Sequence, residues 1–466
     1  MKKVLISFLA ASCFFCAECV TLKITCRSKG MELVLLRNAI DEWVKITGNQ
    51  HKVEIITLPH ASNECFALYK QWFSAESFDV DILQIDIAWV GVFSDYLVDL
   101  KEFYEVGEID ESDYFPAIRS SMYSGEKMVA LPLYTDCGVI YYRTDLLGKY
   151  GKPVPVTWEE LYETAKYIQD EECRDPEKKN RFHGFVFQAK AFEILTCNFA
   201  EIVDSFGGAI VTSGIATVDS DAVVSGTAFL INCLKNICSR SVLNYSEEDA
   251  RSMFQSGNAV FMRNWPYAWS LLNDANMAVA GKVGVIPVPP SITGGKSSGV
   301  LGGWFMAVSK YSKHKKYAAD LIKFLTSKDQ QRLRSSHSYL PAFRSLYRDA
   351  KVLSHSPFFA YVYESLSNAV LRPSADFSKY YVQASTEIFN TVNSILMDSV
   401  ESEKPEFTVR ERLEQLNKKL NLILKKAKGK IPDEPEGKKK GFFKSLMEWF
   451  GFSDDEAWSD KEKEKI

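Results

Sequence analysis

Three stretches combine aromatic faces, a few polar groups and tight turns. Residues 131–147 read LPLYTDCGVIYYRTDLL and set Asp136 among aromatics, just before Gly138. Residues 261–269 read FMRNWPYAW, which packs four aromatics, an arginine and an asparagine into nine positions. Residues 301–309 read LGGWFMAVS, and Trp304 follows two glycines where the backbone can approach a ligand closely. A mostly apolar wall carrying a few placed hydrogen-bonding groups is the make-up of a small-molecule cleft. A sugar suits it: ring C–H patches pack on aromatic faces, and hydroxyls pair with carboxylate, amide and guanidinium. Asp136 would accept from two neighbouring hydroxyls, with Trp265 and Trp304 as platforms, while Arg263 and Asn264 brace the loop.

Reaction chemistry has little support. HExxH, nucleophile elbows and GxGxxG are missing, and TGGKSSG at 293–299 has Pro290 where a P-loop needs its first glycine, so it reads as a turn. The six histidines never fall at i, i+3 or i+4, and no CxxC pair follows residue 26, so neither a metal nor a cofactor is expected. Glu32, Asp86 and Asp136 could instead be paired carboxylates of a secreted glycan hydrolase, which keeps that alternative open.

Positioning such groups takes an α/β scaffold. TLKITC alternates, Leu36, Ala39, Ile40 and Trp43 follow helical spacing, and KVEIITL is β-rich. A helix near 64–75 and the apolar run VDILQID follow, the latter typical of a parallel strand buried on both faces. Thr157 and Glu160 form a capping box ahead of a helix bearing Trp158, Leu161, Ala165 and Ile168. HGFVFQ and KVGVIPVPP read as strands, 313–326, 357–370 and 380–397 as helices, and Leu413, Leu416, Leu420 and Ile423 as the stripe of a last helix.

Composition sets outer bounds. The 466 residues suggest two to three domains, and 46% hydrophobic with 25% charged residues is ordinary for a soluble protein. A net charge of −4 argues against a nucleic-acid partner. MKKVLISFLAASCFFCA has the lysines, short apolar stretch and small residues of a secretory signal peptide over 1–19, with acylation at Cys13 as a lesser lipoprotein alternative. The seven later cysteines are an odd number with no pairing readable. After residue 424 a charged, Pro- and Gly-rich linker leads to FFKSLMEWFGF. Over 441–452 this reads as an amphipathic helix for peripheral membrane contact, or as a tail docked on the body or a partner.

The ordered series ALPLYTDCGVIYYRTDLLGKYG, TWEELYETAKYIQ, GFVFQAKAFEILTCN, MFQSGNAVFMRNWPYAW, GKVGVIPVP, LGGWFMAVSKYS and NAVLRPS resembles the solute-binding proteins of ABC sugar importers, most of all their trehalose/maltose-binding branch. The likeness spans roughly 22–424. It implies an α/β, two-lobed periplasmic binding protein-like fold of class II, with a ligand cleft between lobes and a hinge that closes on ligand. One lobe would hold 22–133 and 306–345, the other 138–302 and 346–424. Family sugar contacts carry over to Glu32, Asp86, Tyr134, Asp136, Trp265, Tyr267, Gly303, Trp304 and Arg372. The implied protein is a periplasmic monomer that captures a disaccharide and hands it to membrane permease subunits, without catalysis or cofactor. A binding protein repurposed as a sensor or surface interaction protein is a further alternative. One departure stands out: relatives carry an arginine in NER-ALY where this chain has Cys65 in ASNECFALY, and Asn63 is the residue placed to cover part of that role.

Overall fold

The computed structural model describes residues 19–430 except 28, 29, 60, 61, 293, 297, 298 and 402–407. The expected leader up to residue 18, Cys13 and the segment 441–452 lie outside the described residues.

Two sheets carry the fold. In the first, β1 (Thr21–Cys26) pairs in parallel with β2 (Lys52–Thr57) and with β3 (Ile82–Asp86). β4 (Leu131–Cys137) belongs to the same sheet, while β5 (Val139–Arg143) starts the second after the single residue Gly138. β6 (His183–Val186), β7 (Ala259–Asn264) and β8 (Val283–Pro287) complete the second sheet in the order β8-β5-β7-β6. The chain then returns through β9 (Leu301–Val308), which inserts between β3 and β4, antiparallel to both. All five residues of β3 are buried, as the apolar run predicts, but the strand is parallel on one side only.

Two crossings between the sheets lie side by side, with the segment around Val370 paired beside them. The Gly138 amide donates to Val300 O (3.2 Å), the Leu301 amide to Val370 O (2.8 Å) and the Val370 amide to Gly299 O (3.0 Å). Paired in this way, the backbone donors of the crossing segments are satisfied where they leave their sheets.

Helices cover the sheets close to the expected positions, over Ser62–Ser74, Trp158–Glu172, Lys315–Leu325, Phe359–Ser367 and Tyr381–Glu401. The Thr157 cap is half of the expected box. Its hydroxyl accepts from the Glu160 amide at 3.1 Å, but the Glu160 carboxylate accepts from the Val156 amide at 2.8 Å. The last helix, Val409–Ala427, buries the predicted leucine stripe against helix Tyr381–Glu401 and runs past the composition break at 424. Lys425 and Lys426 in its last turn suit the negative end of the helix dipole, so charge there marks a helix end before it marks a linker.

Candidate ligand-binding cleft

Strand register alone brings four of the expected residues together. Trp304 on β9 sits opposite Asp86 on β3 and Tyr134 on β4, and Gly302 sits opposite Asp136. Gly303 has φ of +136°, and a Cβ there would stand 2.8 Å from Tyr134 O and 2.9 Å from Thr135 Cα, so only glycine fits without moving the neighbouring strand. All nine expected residues line one cleft, whose aromatic wall with a few polar groups has the make-up of a small-molecule site.

FMRNWPYAW divides into a buried strand and a half-buried platform. Everything from Ala259 to Asn264 is buried, Arg263 included, because the guanidinium meets the carboxylate of Glu201. Its Nε donates to Glu201 Oε2 at 2.9 Å and its Nη2 to Oε1 at 2.5 Å, and both side chains are only 2% exposed. Oε1 also accepts the Val300 amide at 3.1 Å, so this ion pair abuts the crossings. A Cβ on Gly138 would fall 1.7 Å from Glu201 Oε1, so any larger residue there would have to displace the buried ion pair.

Above this pair, the Arg263 guanidinium carbon lies 4.1 Å from the Trp265 ring centroid. Asn264 Oδ1 accepts the Trp265 amide at 2.8 Å, and its Nδ2 donates to Glu247 O at 3.0 Å. The expected bracing by Arg263 and Asn264 is thus visible atom by atom. Tyr267 donates to Glu248 Oε1 at 2.6 Å, which fixes its ring at the cleft wall.

The facing wall is acidic and buried. Glu32 takes hydrogen bonds from Gln84 Nε2 and from the Tyr134 hydroxyl (3.2 Å), yet burial raises its pKa above the usual carboxylate range. Asp136 is raised further, by burial first and then by the neighbouring charge of Glu32. Its Oδ1 is buried with no hydrogen-bond partner, an orphan of the kind that marks a ligand position.

Asp86 and Arg372, expected as separate ligand contacts, are each other's partners. Arg372 Nη2 donates to Asp86 Oδ1 at 2.6 Å and Nη1 to Oδ2 at 3.3 Å, while Nη1 also reaches Glu193 Oε1 at 2.9 Å. Asp86 caps the following turn as well, accepting the Ala88 amide at 2.8 Å. Trp304 is also engaged: Arg27 lies 4.5 Å from its ring centroid, and Trp89 meets it edge-on at 5.8 Å.

The sequence reading missed Arg27, Glu193, Glu247, Glu248 and Tyr339, which also line the cleft. Neither Cys65 nor Asn63 does. The Cys65 thiol is fully buried and donates to Pro59 O at 3.1 Å, within the core of the first sheet's helix layer. Among the described residues no group of three His, Cys, Asp or Glu is placed to hold a metal, and no helix is long and apolar enough to cross a membrane.

Two sheets joined by paired crossings, with an aromatic and acidic cleft between them, define the class of two-lobed α/β solute-binding folds. The chain belongs to the bacterial extracellular solute-binding proteins, whose family model matches residues 42–360. It is 39% identical to a probable ABC transporter-binding protein of Deinococcus radiodurans over 84% of this chain and 91% of that one. Among solved structures, the maltose-bound MalE3 of T. maritima superposes with a TM-score of 0.78 at 35% identity, over 87% of this chain and all of that one. A Thermotoga lettingae ABC transporter solute-binding protein bound to α-D-tagatose shares the fold, with a TM-score of 0.74 at 23% identity over 88% of this chain and all of that one.

Proposed function

We propose that the chain is the sugar-binding component of an ABC importer, taking up a disaccharide of the trehalose or maltose kind and presenting it to membrane permease subunits. The observation that carries this reading is the convergence of Glu32, Asp86, Tyr134, Asp136, Trp265, Tyr267, Gly303, Trp304 and Arg372 on one cleft, where Asp136 Oδ1 is left without a partner. A ligand hydroxyl would satisfy that oxygen, and a site that bonds each hydroxyl rejects analogues lacking one. Trp265, held from below by Arg263, is the stacking platform. The lobes divide at 133/138 and 302/306, and the ligand closes them by bridging Trp265 on one side and Asp136 on the other. Export by the N-terminal leader and action as a periplasmic monomer complete the proposal.

Calorimetric titration of the mature chain against trehalose, maltose, sucrose, glucose and a maltodextrin tests it. One disaccharide binds at micromolar affinity or tighter, and Trp265→Ala weakens it by about 30-fold or more, as truncation of a central aromatic anchor does. Absence of heat with every sugar, or steady turnover of a disaccharide, refutes the proposal.

A further inference from the structure

Glu32 is held at the cleft by a residue that does not line it. Gln84 lies in the middle of β3, two positions before Asp86, and is fully buried. Its main chain is pinned on both sides: the amide donates to Thr25 Oγ1 at 2.8 Å, and the carbonyl accepts the Tyr69 hydroxyl at 2.6 Å. Thr25 and Tyr69 are themselves joined at 2.9 Å. The side-chain amide has a single workable orientation. The Arg27 backbone N–H can only donate, and it meets Gln84 Oε1 at 2.8 Å, so Nε2 must face the other way, toward Glu32 Oε1.

Tyr134 donates to the same oxygen at 3.2 Å. Two donors on Oε1 leave Oε2 for a ligand hydroxyl, and both favour the ionised carboxylate, which accepts and never donates. Burial opposes them and raises the Glu32 pKa; the Gln84 hydrogen bond is the largest force against burial, ahead of Arg27, Tyr134 and Arg334. Arg27 follows β1, Tyr134 lies on β4, and Arg334 comes from helix Lys328–Ser335. Asp136 on β4 and Tyr339 complete the titratable groups that sense the Glu32 charge. Building on the sugar-binding reading above, we propose that Gln84 is a positioning residue for the ligand: its amide turns Glu32 Oε2 to the cleft and keeps that oxygen an acceptor.

The test uses Gln84→Met, which removes the amide at similar length, and Gln84→Glu, which keeps an oxygen for Arg27 and donates to Glu32 only while protonated. Wild type and both variants are titrated with maltose, and with trehalose if maltose gives no heat, from pH 5 to pH 9, with thermal midpoints recorded alongside. Each affinity is taken as a ratio to wild type at the same pH, so titrations common to all three proteins largely drop out. Gln84→Met weakens binding by about 10-fold near pH 6, the loss of a hydrogen bond to a charged group, and the deficit shrinks toward pH 9 as Glu32 ionises without its donor. Gln84→Glu runs the other way. It stays within about 3-fold of wild type at pH 5 and falls behind as pH rises, because a second ionised carboxylate then faces Glu32. A pH-independent loss in either variant is what a merely structural residue gives, and it overturns the inference, as does undiminished binding by Gln84→Met. If Gln84→Met does not fold, the slope of Gln84→Glu decides alone. Wild type that binds neither sugar refutes the proposed function itself and this inference with it, a result read before any variant is made.

Discussion

Replacing Glu201 by alanine removes the carboxylate paired with Arg263, in a place where both side chains are 2% exposed. Breaking a buried pair from one side costs about 3–5 kcal/mol, because the remaining charge stays out of water. The Val300 amide, 3.1 Å from Glu201 Oε1, loses its acceptor too, which adds about 1–3 kcal/mol. Against a typical total of about 5–15 kcal/mol, the single variant is close to unfolding. The double variant Glu201→Leu with Arg263→Met removes both charges and leaves only the Val300 amide orphaned, so it recovers all but about 1–3 kcal/mol. Equilibrium urea unfolding, followed by circular dichroism and by tryptophan fluorescence, measures both; agreement of the two probes checks that a single transition is being read. A loss under about 1 kcal/mol in Glu201→Ala, or a double variant no better than the single, refutes the reasoning that burial of this pair dominates its energetics.

Other consequences follow from the same geometry. Gly303→Ala forces a Cβ against the backbone of β4 at a φ of +136°, so thermal unfolding shows a loss of about 2–4 kcal/mol and maltose titration a marked weakening. Asp136→Asn acts oppositely on stability and binding. Burial and Glu32 raise the Asp136 pKa, so its ionisation opposes folding progressively as pH rises above its unfolded value near 4. The asparagine form without ligand therefore melts higher than wild type at pH 7, the gap closes toward pH 4, and sugar affinity falls at all pH values. Glu172 shows the reverse sign: burial acts to raise it, but hydrogen bonds from Lys149, Lys178 and Tyr150 prevail and hold it at about 2, against 4.5 unperturbed. Its stabilisation is present above pH 4.5 and is lost as pH falls toward 2. It amounts to about 1–3 kcal/mol, since both lysines are partly exposed, and Glu172→Gln flattens the urea midpoint between pH 6 and pH 3.

The readable part of the cleft was written in rare combinations. Trp265 and Trp304 stood beside glycines or polar residues that a core strand avoids, and Asp136 lay within an apolar run, so each was visible without a fold. Arg27 and Glu193 gave no such signal. One follows an ordinary strand and the other opens an ordinary helix, and only the packing of distant segments aims them at the same space. Glu247 and Glu248 fall in the first turn of a helix, where acids are favoured by the helix dipole alone, so their second position at the cleft was masked by a local reason. Cys65, by contrast, contributes nothing to the cleft, because the helix turns its side chain to the core. The partnership of Asp86 with Arg372 joins residues 286 positions apart, a relation that no window of sequence contains.

The insertion of β9 between β3 and β4 also sets a timetable. During synthesis β4 is complete at residue 137, but the strand that joins it to β3 begins only at 301. At roughly 5–20 residues per second, the ribosome takes on the order of ten to thirty seconds to bridge that gap. Throughout it the first sheet has a missing middle, and the edges of β3 and β4 have no mate. The facing edges of β3 and β4, which an unpaired partner could engage, thus wait for their strand until most of the chain has been made.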